Sequence, residues 1–311
     1  MKSLGLVFPG QGSQSVGMLR DIAKEFSEVN ETFAEASFVL DYDLWQLIQG
    51  GPEEELNKTI HAQPALLTAS YAIWRILEKK KIIPILLAGH SLGEYSALVC
   101  ANAFTFTDAV RLVALRGQYM QAAVPMGQGA LAAIIGLEDE VVQSLCEKAA
   151  VNEVVAPANF NSPKQVVIAG HLPAVLRVMT LAKEAGATLV KQLSVSVPSH
   201  CSLMKPAAKE LAALLAEISI KKPTIPVMNN VDVKIYTDEN SIRDGLVRQL
   251  FMPVRWVEII RAFEKRGIHS IIECGPGKVL SGLNKRIVSD VSLANTADMT
   301  NLKMLLSEGS L

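Results

Sequence analysis

The sequence predicts an α/β protein in two parts: a large body on a mostly parallel, covered sheet, and a smaller unit inserted into it. Three observations predict this. Short apolar runs alternate with helical patterns from the first residues, as covered parallel sheets require. Two of those runs, Leu4–Phe8 and Ile82–Ala88, end in Gly-containing turns. Between residues 130 and 193 the order changes to strand, helix, strand, strand, helix, strand, the ferredoxin-like βαββαβ pattern.

In chain order, Leu4–Phe8 reads as a buried strand leading into Pro9-Gly10-Gln11-Gly12-Ser13-Gln14. Helical stretches follow around 18–38 and 64–80, with Pro64 in a first-turn position where its missing N–H is not needed. Ile82–Ala88, interrupted by Pro84, is a second strand ending in Gly89-His90-Ser91-Leu92-Gly93, and Gly93–Cys100 is helical. The inserted unit begins with a strand at Ala130–Gly136 and a helix at Glu138–Ala150 with acidic residues in its first turn. Strands at Val154–Phe160 and Gln165–Gly170 are joined by Asn161-Ser162-Pro163, and the helix Leu172–Gly186 precedes a last strand at Thr188–Leu193. The expected division is therefore residues 1–126 with 195–311 for the large domain and 127–194 for the insert. Beyond it come a turn at Val197-Pro198-Ser199-His200, a helix near 203–218 and strand and loop over 221–235. A helix near 240–263 carries Pro253, and a short strand at Ser270–Cys274 precedes Gly275-Pro276-Gly277.

Composition narrows the class. Half of the 311 residues are hydrophobic and 20% are charged, enough apolar material for a large core and too much for a disordered chain. Thirty basic against thirty-one acidic side chains leave a formal charge of −1, so nothing global points to nucleic acid. Cys100, Cys146, Cys201 and Cys274 are too far apart for a zinc or CxxC motif and too few for a disulfide scaffold. No apolar run approaches the roughly 18 residues of a membrane span, and Pro9 and the glycines interrupt any signal-peptide core. The expectation is a cytoplasmic enzyme without membrane or metal.

Gly89-His90-Ser91-Leu92-Gly93 matches the G-x-S-x-G nucleophile elbow, in which a sharp strand-to-helix turn presents the serine beside backbone N–H groups. An ordinary strand-to-helix turn is the rival reading. A serine nucleophile needs a base. His61, His171 and His269 suit surface or capping roles, and His90 suits packing behind the elbow. His200 follows Ser91 in the order of α/β-hydrolase-type sites, with a polar turn residue as the alternative. No acid stands where a third triad member would, so a backbone carbonyl or an amide side chain is the candidate partner. Arg116 lies in an apolar stretch and either pairs a substrate carboxylate or is an exposed helix charge. Gln11, in the first Gly-rich turn, is a candidate oxyanion donor; the P-loop lysine and the G-x-G-x-x-G spacing are both missing.

Six blocks together carry a resemblance: FPGQGSQ at 8–14, HAQPALL at 61–67, GHSLGEYSAL at 89–98, VPSHCSLM at 197–204, RQLFMPVRW at 248–256 and GPGKVL at 275–280. The sequence resembles the malonyl-CoA:acyl carrier protein transacylases of bacterial fatty acid synthesis and is similar to polyketide synthase acyltransferase domains. The resemblance implies an α/β-hydrolase-like large domain. It also implies Ser91 as the acylated serine, His200 as its base, and Gln11 and Leu92 as oxyanion N–H donors. Arg116 would grip the malonyl carboxylate, and Gln249 would supply the carbonyl that replaces the acid. Asn159 and Asn161 fall beside the cleft, and Met120 and Ser199 border the space that selects the acyl group. The implied reaction is ping-pong, from malonyl-CoA to an acyl carrier protein, by a monomer without cofactor. Lys183, Lys191, Lys278, Lys285 and Arg286 are candidates for docking an acidic carrier. A thioester hydrolase using the same serine and histidine, an idle relative that only binds, and a free-standing acyltransferase serving a polyketide pathway are the rivals. The VPSH block and the stand-alone length favour the fatty acid enzyme over the last.

Overall fold

The computed structural model describes residues 3–194 and 197–307. Its chain order is β1 (Leu4–Phe8), α1 (Arg20–Glu25), α2 (Ser27–Leu40), α3 (Leu44–Gly50), α4 (Glu53–Asn57), α5 (Thr59–Lys79), β2 (Leu86–Gly89), α6 (Leu92–Cys100) and α7 (Phe106–Ala123). There follow β3 (Gly129–Ile135), α8 (Asp139–Ala150), β4 (Val155–Ser162), β5 (Gln165–His171), α9 (Leu172–Glu184) and β6 (Leu189–Gln192). The chain closes with α10 (Lys205–Glu217), β7 (Val227–Met228), α11 (Glu239–Gln249), α12 (Trp256–Lys265), β8 (Ser270–Glu273), α13 (Val279–Ile287), β9 (Ser292–Asn295) and α14 (Met299–Ser307).

The large sheet has five parallel strands in the order β7-β2-β1-β8-β9. Every residue of β1, β2 and β8 is buried, because helices cover both faces; this is why the strands read as continuous apolar runs. One core cluster joins Leu6, Phe8 and Leu87 to α5, α6 and α7, and a second joins Val7, Ala88 and Ile271 to α12 and α13. The C-terminal ends of β1 and β2 lie side by side, with Phe8 opposite Gly89, so their following turns meet at one edge. That edge is where open parallel sheets place ligands.

The small sheet is antiparallel, in the order β4-β5-β3-β6, with its elements running from Gly129 to Gln192. Residue 195, the first of the expected return to the large domain, lies outside the described residues. Helices α8 and α9 cover one face of this sheet. Strand β4 joins it to the large body: Phe160 N–H donates to Val254 O at 2.9 Å and Val254 N–H to Ala158 O at 2.9 Å. This clamp carries Asn159 and Asn161 to the edge of the large sheet.

Several expected elements differ. The strand expected at Ile82–Ala88 begins only at Leu86, beyond Pro84, with Ile83 and Ile85 exposed. Strand β4 runs through Asn161 and Ser162, which the sequence places in a turn. The stretch 18–38 is two helices, because Phe26 is extended (φ −122°, ψ 107°) and turns inward against the core. Pro64 sits inside α5, one turn beyond its start at Thr59, so it removes a bond to the Ile60 carbonyl rather than opening the helix. That also places His61 within α5 instead of before it. The expected helix 240–263 is two helices, α11 and α12, because Pro253 can neither donate to the preceding turn nor avoid clashing with it. Pro253 has no N–H to offer the Gln249 carbonyl, so the break leaves that buried oxygen at the end of α11 free for the site.

Candidate active site

Ser91 occupies the turn between β2 and α6 with φ 52° and ψ −106°, a strained conformation that costs a non-Gly residue about 1–3 kcal/mol. Two glycines permit it. A Cβ on Gly89 would lie 1.8 Å from the Gly93 carbonyl carbon, and one on Gly93 would lie 2.1 Å from Phe8 O. Any side chain at either position would force strand and helix apart. One amide braces the turn: Asn230 Oδ1 accepts from Ser91 N–H at 2.8 Å, and Asn230 Nδ2 donates to Gly89 O at 2.7 Å.

His200 enters from the segment after the small sheet, itself at positive φ (64°). Its Nε2 is 2.8 Å from Ser91 Oγ and its Nδ1 is 2.7 Å from the Gln249 carbonyl. Gln249 is the last residue of α11, and a carbonyl in a helix's last turn has no intrahelical donor. It therefore accepts from Nδ1–H, which fixes the tautomer and leaves the Nε2 lone pair facing the serine. Burial, reinforced by the Arg116 charge, pushes the imidazole down to about 3, so His200 is neutral at pH 7 and free to take a proton.

Arg116 lies in the interior of α7 and is only 1% exposed, which removes the exposed-charge alternative. Its guanidinium donates to Gln63 Oε1 at 2.8 Å, to Gln249 Oε1 at 3.0 Å and to Ser91 Oγ at 3.3 Å, and lies 5.1 Å from the Tyr95 ring centre. Among the described residues no carboxylate pairs with it, and its Nε has no partner. A buried guanidinium held only by neutral acceptors is costly, and an arriving carboxylate would offset that cost.

These groups open on a cavity of about 170 Å³ whose walls include Gln11, His90, Leu92, Met120, Asn159 and Asn161. Leu92 is the first residue of α6, so its N–H has no intrahelical acceptor. The Gln11 side chain donates to Thr59 Oγ1 at 3.3 Å. Met120 is buried beside Gln63, and Ser199 lines the cavity with His200. Asn161 Oδ1 is 2.8 Å from His90 Nε2, and His90 both packs against the buried Trp256, its ring centre 5.5 Å away, and lines the cavity.

Sequence reasoning missed a second tier behind these residues. Glu94, on α6, is fully buried and accepts from Gln249 Nε2 at 2.6 Å, from Asn230 N–H at 3.2 Å and from the Tyr236 hydroxyl. Burial pushes its carboxyl up to about 7, although the Tyr236, Gln249 and Asn230 bonds favour ionisation. A lone acid inside the apolar helix LGEYSALVC was the available signal. Nothing in the sequence sets Asn230 apart from Asn229.

The arrangement of Ser91, His200 and the Gln249 carbonyl suits attack by a hydroxyl on an activated acyl group, the geometry of an acyl-transfer protein. The chain belongs to the acyl transferase domain family, whose pattern matches residues 6–301. It is 55% identical over 309 residues to the malonyl CoA-acyl carrier protein transacylase of Salmonella typhimurium, covering 99% of this chain and all of that one. It superposes with a TM-score of 0.97 on the malonyl CoA-acyl carrier protein transacylase of Coxiella burnetii, at 50% identity over 100% of this chain and 98% of that one. The same score, at 54% identity over 98% and 99% of the two chains, relates it to a malonyl-transacylase in complex with its type II PKS acyl-carrier protein.

Proposed function

We propose that this chain transfers a malonyl group from malonyl-CoA to the phosphopantetheine thiol of an acyl carrier protein, supplying fatty acid biosynthesis in the cytoplasm. The observation that carries the reading is Arg116, a buried guanidinium with no carboxylate partner among the described residues, 3.3 Å from the Ser91 hydroxyl. The cavity supports it as well. Its lining brings Arg116, Ser91, His200 and Met120 to one space of about 170 Å³, so an acyl group bound there meets the guanidinium and the hydroxyl together.

In the proposed reaction the malonyl carboxylate pairs with Arg116, which sets the thioester carbonyl beside Ser91. His200 Nε2 takes the hydroxyl proton as Oγ attacks the carbonyl carbon, and the Leu92 and Gln11 N–H groups receive the oxyanion. The tetrahedral adduct collapses, the C–S bond breaks, and the proton passes from His200 to the departing CoA sulfur. The carrier's thiol then repeats the sequence in reverse, giving its proton to His200 and taking the malonyl group from Ser91. Asn159 and Asn161 border the acyl group, and Met120 limits its bulk. No metal or cofactor enters these steps, and one chain contains every group they use.

Intact mass after brief exposure to malonyl-CoA tests the reading. A gain of about 86 Da is expected, absent in Ser91→Ala and removed by added carrier protein, as a covalent acyl-enzyme requires. Release of free CoA without an adduct would instead indicate a hydrolase.

A further inference from the structure

We propose that Glu94 is a positioning residue that fixes the orientation of the Gln249 side-chain amide and, through it, aims Arg116 at the substrate's carboxylate. The inference rests on the transfer reading above. Glu94 does not line the cavity; it stands behind it, on the far side of Gln249 from Arg116.

The argument starts from the two faces of one amide. Gln249 Oε1 accepts from Arg116 at 3.0 Å, while Gln249 Nε2 donates to Glu94 Oε2 at 2.6 Å and to Ser91 O at 3.0 Å. Arg116 has donors only, so the amide is useful to it in one orientation. Turned over, the amide would set its NH₂ against the guanidinium, leaving both sets of donors without acceptors. Arg116 would then keep only Gln63 Oε1 as a side-chain amide acceptor. The strongest acceptor on the other side of the amide is Glu94, which is itself held by Asn230 N–H and the Tyr236 hydroxyl.

Packing alone is a poor account of Glu94. An apolar side chain would fill the same space in α6 without the cost of burying a carboxyl group. What the site needs is an acceptor at the Oε2 position rather than a charge. A protonated Glu94 can give its hydrogen to the Tyr236 oxygen and still accept at Oε2. Glutamine can do the same with its amide oxygen at that place, and leucine cannot.

The test measures the rates of Ser91 acylation by malonyl-CoA and by acetyl-CoA, which lacks the second carboxylate, with folding checked by circular dichroism. Their ratio reports Arg116 aim, whereas a general loss of structure lowers both rates together. Glu94→Leu should lower the malonyl-to-acetyl ratio at least about tenfold, and Glu94→Gln should stay within about threefold of the parent. Gln249→Leu, which keeps the backbone carbonyl for His200, should reproduce the drop, and the double variant should fall no further. A Glu94→Leu ratio within about twofold of the parent overturns the proposal. So does a Glu94→Gln ratio that falls as far as that of Glu94→Leu. If Glu94→Leu does not fold, an unchanged ratio in Gln249→Leu overturns it equally. Failure of the unsubstituted protein to form any malonyl adduct would refute the transfer reading itself.

Discussion

Replacing Glu94 by glutamine should make the protein's stability respond differently to pH, by an amount that the structure sets. Folding raises this carboxyl from 4.5 to about 7, chiefly by burial, with Tyr236, Gln249, the Asn230 N–H and the Arg116 charge opposing. Between pH 4.5 and 7 the folded state thus keeps a proton that the unfolded state has lost. Stability falls as pH rises through that window and is level above it. At about 1.36 kcal/mol per pH unit, the ionised carboxylate costs about 3 kcal/mol by pH 8. Glutamine does not titrate, so the difference in unfolding free energy, variant minus parent, should rise by about 3 kcal/mol between pH 4.5 and pH 8. Surface carboxylates and His200 are common to both proteins and cancel in that difference. Urea unfolding at the two pH values, followed by circular dichroism, measures it. A change below about 1 kcal/mol, or of opposite sign, would refute the burial argument.

Four further outcomes follow from the same geometry. Arg116→Ala should slow malonyl acylation of Ser91 by about 10²–10³-fold, two charge-assisted bonds being lost, and leave acetyl acylation much less affected; equal losses would deny Arg116 its selective role. Because burial pushes His200 down to about 3, the acylation rate should hold its plateau from pH 8 to below pH 5, and a fall with midpoint near 6.5 would contradict a buried neutral base. Gly93→Ala should lower the melting temperature sharply or prevent folding, since its Cβ would sit 2.1 Å from Phe8 O; a change within a degree or two would show that the elbow relaxes freely. Lys285 and Arg286 are exposed on α13, whose Val279, Leu280 and Leu283 line the cavity. Reversing both to Glu should raise the carrier protein's KM more than that of malonyl-CoA, and equal effects would count against docking there.

How much was legible in the sequence depends on how far each property reaches along the chain. Helices cover both faces of the sheet, so Leu4–Phe8 and the Leu86–Ala88 part of the expected Ile82–Ala88 run are apolar without alternation. The exposed Ile83 and Ile85 made that run look longer than the strand is. The elbow was readable because part of its constraint is local, a Cβ on Gly89 striking the Gly93 and Glu94 backbone. Gly93 is required by Phe8 O on the neighbouring strand β1, and only the glycine spacing betrayed that. The helix around Pro253 was misread because helical periodicity on both sides of a proline looks continuous, while the break itself decides which carbonyl is left free. Pro64 misled in the other direction, marking a helix start in the middle of α5.

The sequence alone determined the layered α/β architecture, the inserted βαββαβ order and the Gly-x-Ser-x-Gly turn, since these show as patterns within a few residues. Only the tertiary structure decided what those residues can do. It brought His200, 109 residues away, to 2.8 Å from Ser91. It gave that imidazole the Gln249 carbonyl as partner and left Arg116 buried among amide oxygens. It also set Glu94, Asn230 and Tyr236 behind the site. Hydrogen bonds and desolvation act over a few ångströms of space, and those distances come from packing between elements far apart in the chain.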